Sequence, residues 1–294
     1  MTTDTVTDVF EEHRPVLLGV AYRMLGRVAD AEDVVQEAWL RWTGADRSEV
    51  REPRGYLVRI TTRLAIDRLR QVKARNEAYV GPWLPEPYAT DFGDTVPDTA
   101  ERAVLADSVS LAVLVVLESL SPLERAVFVL REAFGYPYAD IAAMLDRGEA
   151  AVRQLAGRAR RHVDERRPRY DVDPVERRDL TERFLAAAAG GDLEGLMSLL
   201  APDVRLVGDS GGKARAPLRV VETADKVGRF MVGAAAKGDV PDVSFRFREL
   251  NGGPALLVMA GDKLDSVFQL DVLDGRVQSI YVIRNPDKLR SLAG

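Results

Sequence analysis

Apolar residues recur along this chain with two different periods, and the change of period divides it. Up to about residue 170 the repeat is helical. In DAEDVVQEAWLRW, residues 30–42, Val35, Ala38, Trp39 and Trp42 fall at i, i+3, i+4 and i+7 and form one apolar stripe. In PRGYLVRITTRLAIDRLRQVKAR, residues 53–75, Leu57, Ile60 and Leu64 mark the buried side of another helix. Further on, Ile141, Ala142 and Leu145 give a short helix one apolar face, and Asp146, Arg147 and Gly148 interrupt it. Val152, Leu155, Ala156 and Ala159 then restore helical spacing. Two short helices joined by a tight turn predict a helix-turn-helix.

Beyond residue 170 the texture changes. Asp173-Pro174 predicts an N-cap and first helical residue for a helix over 176–189, which Gly190 and Gly191 end. Asp192 caps a second short helix that stops before Pro202. Strand patterns follow at 204–207, 243–250, 255–259, 266–272 and 277–283, with a helix around 221–236 between them. Asp274-Gly275, between the last two strands, is a strong hairpin signal. Helices followed by a mostly antiparallel sheet predict a separate α+β domain.

Charge sharpens this division. Residues 51–75 hold eight basic side chains against two acidic, a net +6. Residues 76–111 hold one basic against seven acidic, a net −6, together with Pro82, Pro85, Pro87 and Pro97. Residues 153–169 hold seven arginines against two acids, a net +5. Two basic helical blocks on either side of an acidic, Pro-rich connector suggest two small modules on a tether, the connector being extended or irregular around GPWLPEPY.

The net charge of −5 over 294 residues argues against coating DNA by bulk electrostatics, so any DNA contact must be local or shared with a partner. No apolar run reaches the length of a membrane span, and MTTDTVTDVFEEH is not a signal peptide. The absence of cysteine removes disulfides and thiolate chemistry and fits a reducing cytoplasm.

Three polar faces carry candidate chemistry. Arg153, Gln154, Arg158 and Arg161 oppose the apolar face of the second short helix and suit guanine edges, adenine edges and phosphates. Arg59, Arg63, Asp67 and Arg70 fall on one stripe of the helix over 53–75, where arginines can hold phosphates while Asp67, Thr62 and Asn76 can bond exposed base edges. Asp67 fits equally as an intrahelical salt-bridge partner. Asp30, Asp33 and Glu37, with Gln36, form either a solvated acidic face or a docking surface for a basic helix.

Taken in order, DAEDVVQEAWLRW, PRGYLVRITTRLAIDRLR, LSPLERAVFVLRE, GYPYADIAAML and EAAVRQLAGRARR resemble an extracytoplasmic-function sigma factor of bacterial RNA polymerase. The resemblance implies that Asp33, Gln36 and Glu37, with Trp39, lie on the helix that binds the core polymerase. It implies that Arg59, Thr62, Arg63, Asp67 and Arg70 meet a melted −10 element. It makes 149–161 the −35 recognition helix, with Glu149, Arg153, Gln154, Arg158 and Arg161 at the DNA. Gly148 stands where relatives often place Ser.

The C-terminal region resembles a SnoaL-like cone, found in a subgroup of these sigma factors. Its marks are WLPEP (Trp83, Leu84, Pro85, Glu86, Pro87), DSGGK (Asp209, Ser210, Gly211, Gly212, Lys213) and NPDKL, which opens with Asn285 and Pro286. Ser210 replaces the subgroup's usual glycine, at a cost if that position needs a positive φ. The resemblance implies a built-in regulator in place of a separate anti-sigma protein.

The expected fold is therefore multidomain: two all-α sigma domains, a helical bundle and then a helix-turn-helix, followed by an α+β SnoaL-like cone. The boundaries are 1–76 for core and −10 binding, 77–111 for the acidic linker, 112–170 for −35 binding and 171–294 for the regulatory domain. The partners implied are core RNA polymerase and promoter DNA, for a cytoplasmic protein that is monomeric when free and needs no cofactor or metal. Cones of this kind are often hollow, which makes a small apolar ligand a candidate occupant. Two alternatives stay open: a ligand-sensing helix-turn-helix repressor, and a SnoaL-like enzyme fused to a DNA-binding module. For the enzyme, Asp209, Asp262, Asp265 and Tyr281 are the acid–base candidates, because His13 and His162 both fall outside the cone.

Overall fold

The computed structural model describes residues 3–46, 50–76, 79–89, 110–166, 174–237 and 242–292. The acidic stretch from 90 to 109, the N-cap expected at Asp173 and the domain boundary near 170 lie outside the described residues. The chain forms two compact units. One comprises Met1–Glu77, Ala100–Val109 and Val113–Arg167, the other Ala78–Thr99, Ser110–Ala112 and Pro168–Gly294.

The first unit opens with α1 (Thr3–Leu25), α2 (Val28–Gly44) and α3 (Pro53–Asn76). Leu17, Val20 and Met24 of α1, Ala31, Val34, Val35 and Ala38 of α2, and Leu57, Val58, Leu64 and Ala65 of α3 are buried. Trp42 closes this core: its indole donates to Val6 O at 3.1 Å. Three further helices follow as α4 (Leu111–Leu117), α5 (Pro122–Phe128), which runs into a π-helical turn at Val129–Ala133, and α6 (Tyr138–Leu145), before the long α7 (Glu149–Arg166). Ser121 and Glu124 make a complete capping box at the start of α5, with Pro122 at N1. Asp146, at φ 55°, ends α6 in the left-handed conformation, so the expected turn at 146–148 is present.

Helix α3 packs against α1 and α2 and also against α5 and α6. Arg125, 1% exposed, pins the helices together. Its guanidinium donates to Leu117 O, Met24 O and the Glu118 carboxylate, each at 2.8 Å. Sequence periodicity anticipates one buried face on α3, whereas helices pack on it from two sides.

The second unit contains α8 (Pro174–Gly190), α9 (Leu193–Leu199), β1 (Leu200–Asp209), β2 (Val221–Glu222), α10 (Ala224–Ala236), β3 (Val243–Leu250), β4 (Gly253–Ala260), β5 (Lys263–Leu273), β6 (Arg276–Ile283) and α11 (Pro286–Leu289). The six strands run in the order β2-β1-β6-β5-β4-β3, and only the β1–β6 pair is parallel. Two differences from the sequence pattern have local causes. β1 begins at Leu200 and passes through Pro202, at the cost of a register irregularity between Leu200 and Arg205. Val221 and Glu222 pair with β1 before the helix starts at Ala224. Asp192 caps α9 as expected, accepting from Gly195 N at 2.8 Å. Asp274 and Gly275, at φ 51° and 68°, supply the two positive values of a type I′ hairpin.

One face of the sheet packs against the helices, through Phe184 of α8, Leu196 of α9, Val227 of α10, Leu206 of β1, and Ile280 and Val282 of β6. Strand alternation sends the neighbouring residues to the opposite face. There the cross-strand row Leu257, Val267, Ile283 and Asp209 lies in register, all four buried. That opposite face positions the site of the second unit.

Candidate functional site

In the first unit, the polar face of α7 is exposed as its spacing predicts. Val152, Ala156 and Ala159 are buried, whereas Glu149, Arg153, Gln154, Arg158 and Arg161 are exposed. Arg153 pairs with Glu149 one turn earlier and lies 4.8 Å from the Tyr138 ring centre. Arg158 Nε donates to Glu124 Oε1 of α5 at 2.8 Å. The Glu124 carboxyl is held below its ordinary range, first by the Ser121 hydroxyl and then by Arg158. On the inward side Arg160 reaches Glu132 at 2.5 Å, which raises its already high pKa.

The basic stripe of α3 is less open. Arg63, Asp67 and Arg70 are exposed and Arg59 half-buried, its guanidinium 5.1 Å from the Tyr56 ring centre. Asp67 accepts from Arg70 at 3.0 Å, the salt bridge that its spacing allows. Arg63 Nε donates to Met144 O at the end of α6, 2.8 Å away. Thr62 departs from the stripe: it is fully buried and its hydroxyl has no hydrogen-bond partner.

The acidic face of α2 is also partly engaged. Asp30 is buried and accepts from Arg68 at 2.9 Å, so it belongs to the interior of the helical bundle. Asp33 shares the same guanidinium at 3.0 Å, and Glu37 pairs with Arg41 at 2.8 Å. Gln36 and Glu37 are exposed, beside an exposed Leu40 and a half-buried Trp39.

In the second unit the three C-terminal motifs meet. The chain at 79–89 crosses the sheet face opposite the helices, with Leu84, Pro85, Glu86 and Pro87 buried. Asp209, at the end of β1, is 0% exposed. Its Oδ1 accepts from the Tyr79 hydroxyl at 2.5 Å, and its Oδ2 from Leu84 N at 2.8 Å and Lys288 Nζ at 2.7 Å. Lys288 also donates to Leu84 O, and its ammonium lies 4.0 Å from the Trp83 ring centre and 5.2 Å from that of Tyr79. Leu84 is thus held at both main-chain groups by one buried ion pair.

The glycine loop explains itself in this setting. A Cβ on Gly211 would come 2.5 Å from Asn285 Nδ2 and 3.0 Å from the Tyr79 hydroxyl, and one on Gly212 would come 3.2 Å from Val80. Both glycines have positive φ, at 55° and 73°. Ser210 does not, so the serine there carries no backbone cost, and its Oγ accepts from Gly212 N at 3.3 Å. Asn285 caps α11 ahead of Pro286 and donates to Tyr79 at 2.7 Å. Lys213 pairs with Asp287, and Ser291 bonds Glu86.

The comparisons with known proteins match this geometry. A model of Sigma-70 region 2 matches residues 9–75, and one of Sigma-70, region 4 matches residues 110–163. The ECF RNA polymerase sigma factor SigJ of Mycobacterium tuberculosis (strain ATCC 25618 / H37Rv) is 40% identical over 288 residues, 95% of this chain and 91% of its own. The chain belongs to the ECF sigma factors.

A probable ECF sigma factor, SigI, of the same organism is 34% identical over 98% of this chain and 96% of its own. The crystal structure of Mycobacterium tuberculosis SigJ superposes with a TM-score of 0.76 at 38% identity, covering 96% of this chain and 98% of that one. As an ECF sigma factor the chain is extended by a SnoaL-like α+β unit, the architecture that its motifs imply.

The acid–base candidates of the cone look different in this setting. Asp209 faces away from the helix-packed side and is neutralised by Lys288. Asp265 takes both a 3.0 Å and a 2.9 Å bond from Arg284. Tyr281 lies on the same side as Asp209, and Asp262 is exposed in a turn. Sequence reasoning missed Tyr79 and Asn251, and took Lys288 only as part of NPDKL. Lys288 had a signal: a carboxylate ending the apolar strand of Asp209 needs a nearby cation. Asn251 bonds the main chain of Tyr88 in both directions, at 2.8 and 3.1 Å, and neither residue's sequence neighbours reveal it.

Proposed function

We propose that this ECF sigma factor directs core RNA polymerase to promoters, and that its C-terminal unit regulates it by holding the connector. Gln36 and Glu37, with Asp33 and Trp39, form the polymerase-binding face. Arg59, Arg63, Asp67 and Arg70 serve the −10 element, with Thr62 joining them only if α3 is unpacked. Glu149, Arg153, Gln154, Arg158 and Arg161 serve the −35 element. The factor works in the cytoplasm and is monomeric when free. The apolar side chains packed between the helices and the sheet leave a small ligand in the cone outside this reading.

The observation that carries the regulatory part is Leu84, gripped at its N–H by Asp209 and at its carbonyl by Lys288. A connector seated in this way shortens the free chain between the polymerase-binding and −35-binding helices. Run-off transcription with purified core enzyme tests the reading. Charge reversal at Asp33 and Glu37 should abolish core-dependent transcripts, and Trp83→Ala should change their yield without changing core binding. Equal yields from wild type and Trp83→Ala would rule out the connector as a regulatory element.

A further inference from the structure

We infer that Glu124 is a positioning residue for promoter selectivity: it holds Arg158 in the orientation in which the recognition helix presents it to a −35 base pair. This rests on the proposed role of Arg158. The carboxylate is anchored on its own helix, where Oε2 accepts from Ser121 N at 3.2 Å and from the Ser121 hydroxyl at 2.6 Å. Oε1 faces the neighbouring helix and takes Arg158 Nε at 2.8 Å. An Nε contact leaves both terminal nitrogens of the guanidinium free, and those are the donors a guanine edge requires.

Arg153, by contrast, is paired with Glu149 on its own helix, where both partners are about half exposed and can move together. Glu124 is only 19% exposed while Arg158 is 51% exposed, so a fixed group steers a free one. The depressed pKa of Glu124 keeps the anchor ionised at neutral pH. Ordering Arg158 in advance lowers the entropy lost on binding, and a fixed carboxylate repels phosphates, which penalises non-specific docking.

The test uses holoenzyme and a pool of linear promoter templates randomised across the −35 hexamer, with the bound fraction sequenced. Arg158→Ala should erase base preference at one or two adjacent positions, by about 10-fold or more. Glu124→Gln retains the capping box and should weaken preference at those same positions by about 3- to 10-fold, while retention of scrambled DNA stays equal or rises. In the double variant, Glu124→Gln should add nothing. A loss of fold would instead lower all binding together, and Glu124→Gln should keep a cooperative melting transition. Preference lost in Arg158→Ala but intact in Glu124→Gln overturns the positioning role alone. Preference intact in Arg158→Ala overturns the assignment of Arg158 and the positioning role with it.

Discussion

Lys288 Nζ lies 2.7 Å from Asp209 Oδ2, and the two side chains are 4% and 0% exposed. The chain that closes over the pair is the connector, through both main-chain groups of Leu84. Neutralising one partner leaves the other charge buried and uncompensated. Lys288→Met should destabilise the C-terminal unit by about 3–5 kcal/mol, and Asp209→Asn/Lys288→Met by less than Lys288→Met alone. Denaturant unfolding followed through Trp83 fluorescence measures both. A loss in the double variant equal to the sum of the Asp209→Asn and Lys288→Met losses would show that the pair is not coupled.

Gly211 sits where a side chain has no room. Gly211→Ala places a Cβ against Asn285 and Tyr79 on a backbone of φ 55°. The cost expected is roughly 1–2 kcal/mol, taken from the seating of the connector. Amide hydrogen exchange at residues 79–89 should quicken while the α3 amides keep their rates.

Arg125 joins α1, α4 and α5 with one guanidinium. Arg125→Lys keeps the charge but cannot bond three acceptors in that geometry, and it should cost about 2–4 kcal/mol. Thermal melting of the whole protein checks this, and a change below about 0.5 kcal/mol would refute it.

The Glu124 carboxyl titrates below its ordinary value of 4.5. A depressed folded-state pKa contributes stability that is complete above 4.5 and is lost as pH falls through the lowered value. Wild type should therefore lose its advantage over Glu124→Gln progressively as the pH falls below 4.5 and keep it unchanged from pH 6 to 8. Melting curves across that range decide the sign.

Gly148 precedes α7, and its carbonyl accepts Val152 N at 3.1 Å. An added Cβ there meets nothing within 4 Å. Gly148→Ser should fold normally and stabilise by a few tenths of a kcal/mol, as a better N-cap. A measurable loss of stability would mean that the glycine is required.

The amino-acid order alone determined most of the architecture. Helical and two-residue periods are local properties, so α2, α7, β3 and the Asp274-Gly275 hairpin could be drawn before any packing was known. The motif order DAEDVVQEAWLRW to EAAVRQLAGRARR was enough to place the family. Packing decided the rest. Thr62 reads as part of an exposed stripe until helices close on two sides of α3, and Asp30 reads as part of a docking face until Arg68 reaches it. Asp209 reads as a possible acid–base group until the sheet register turns it away from the helix-packed side, toward Tyr79, Leu84 and Lys288. Those partners are 79 to 130 residues away in sequence. No local period encodes such separations, and burial of a charge is a property of the folded neighbourhood rather than of the residue.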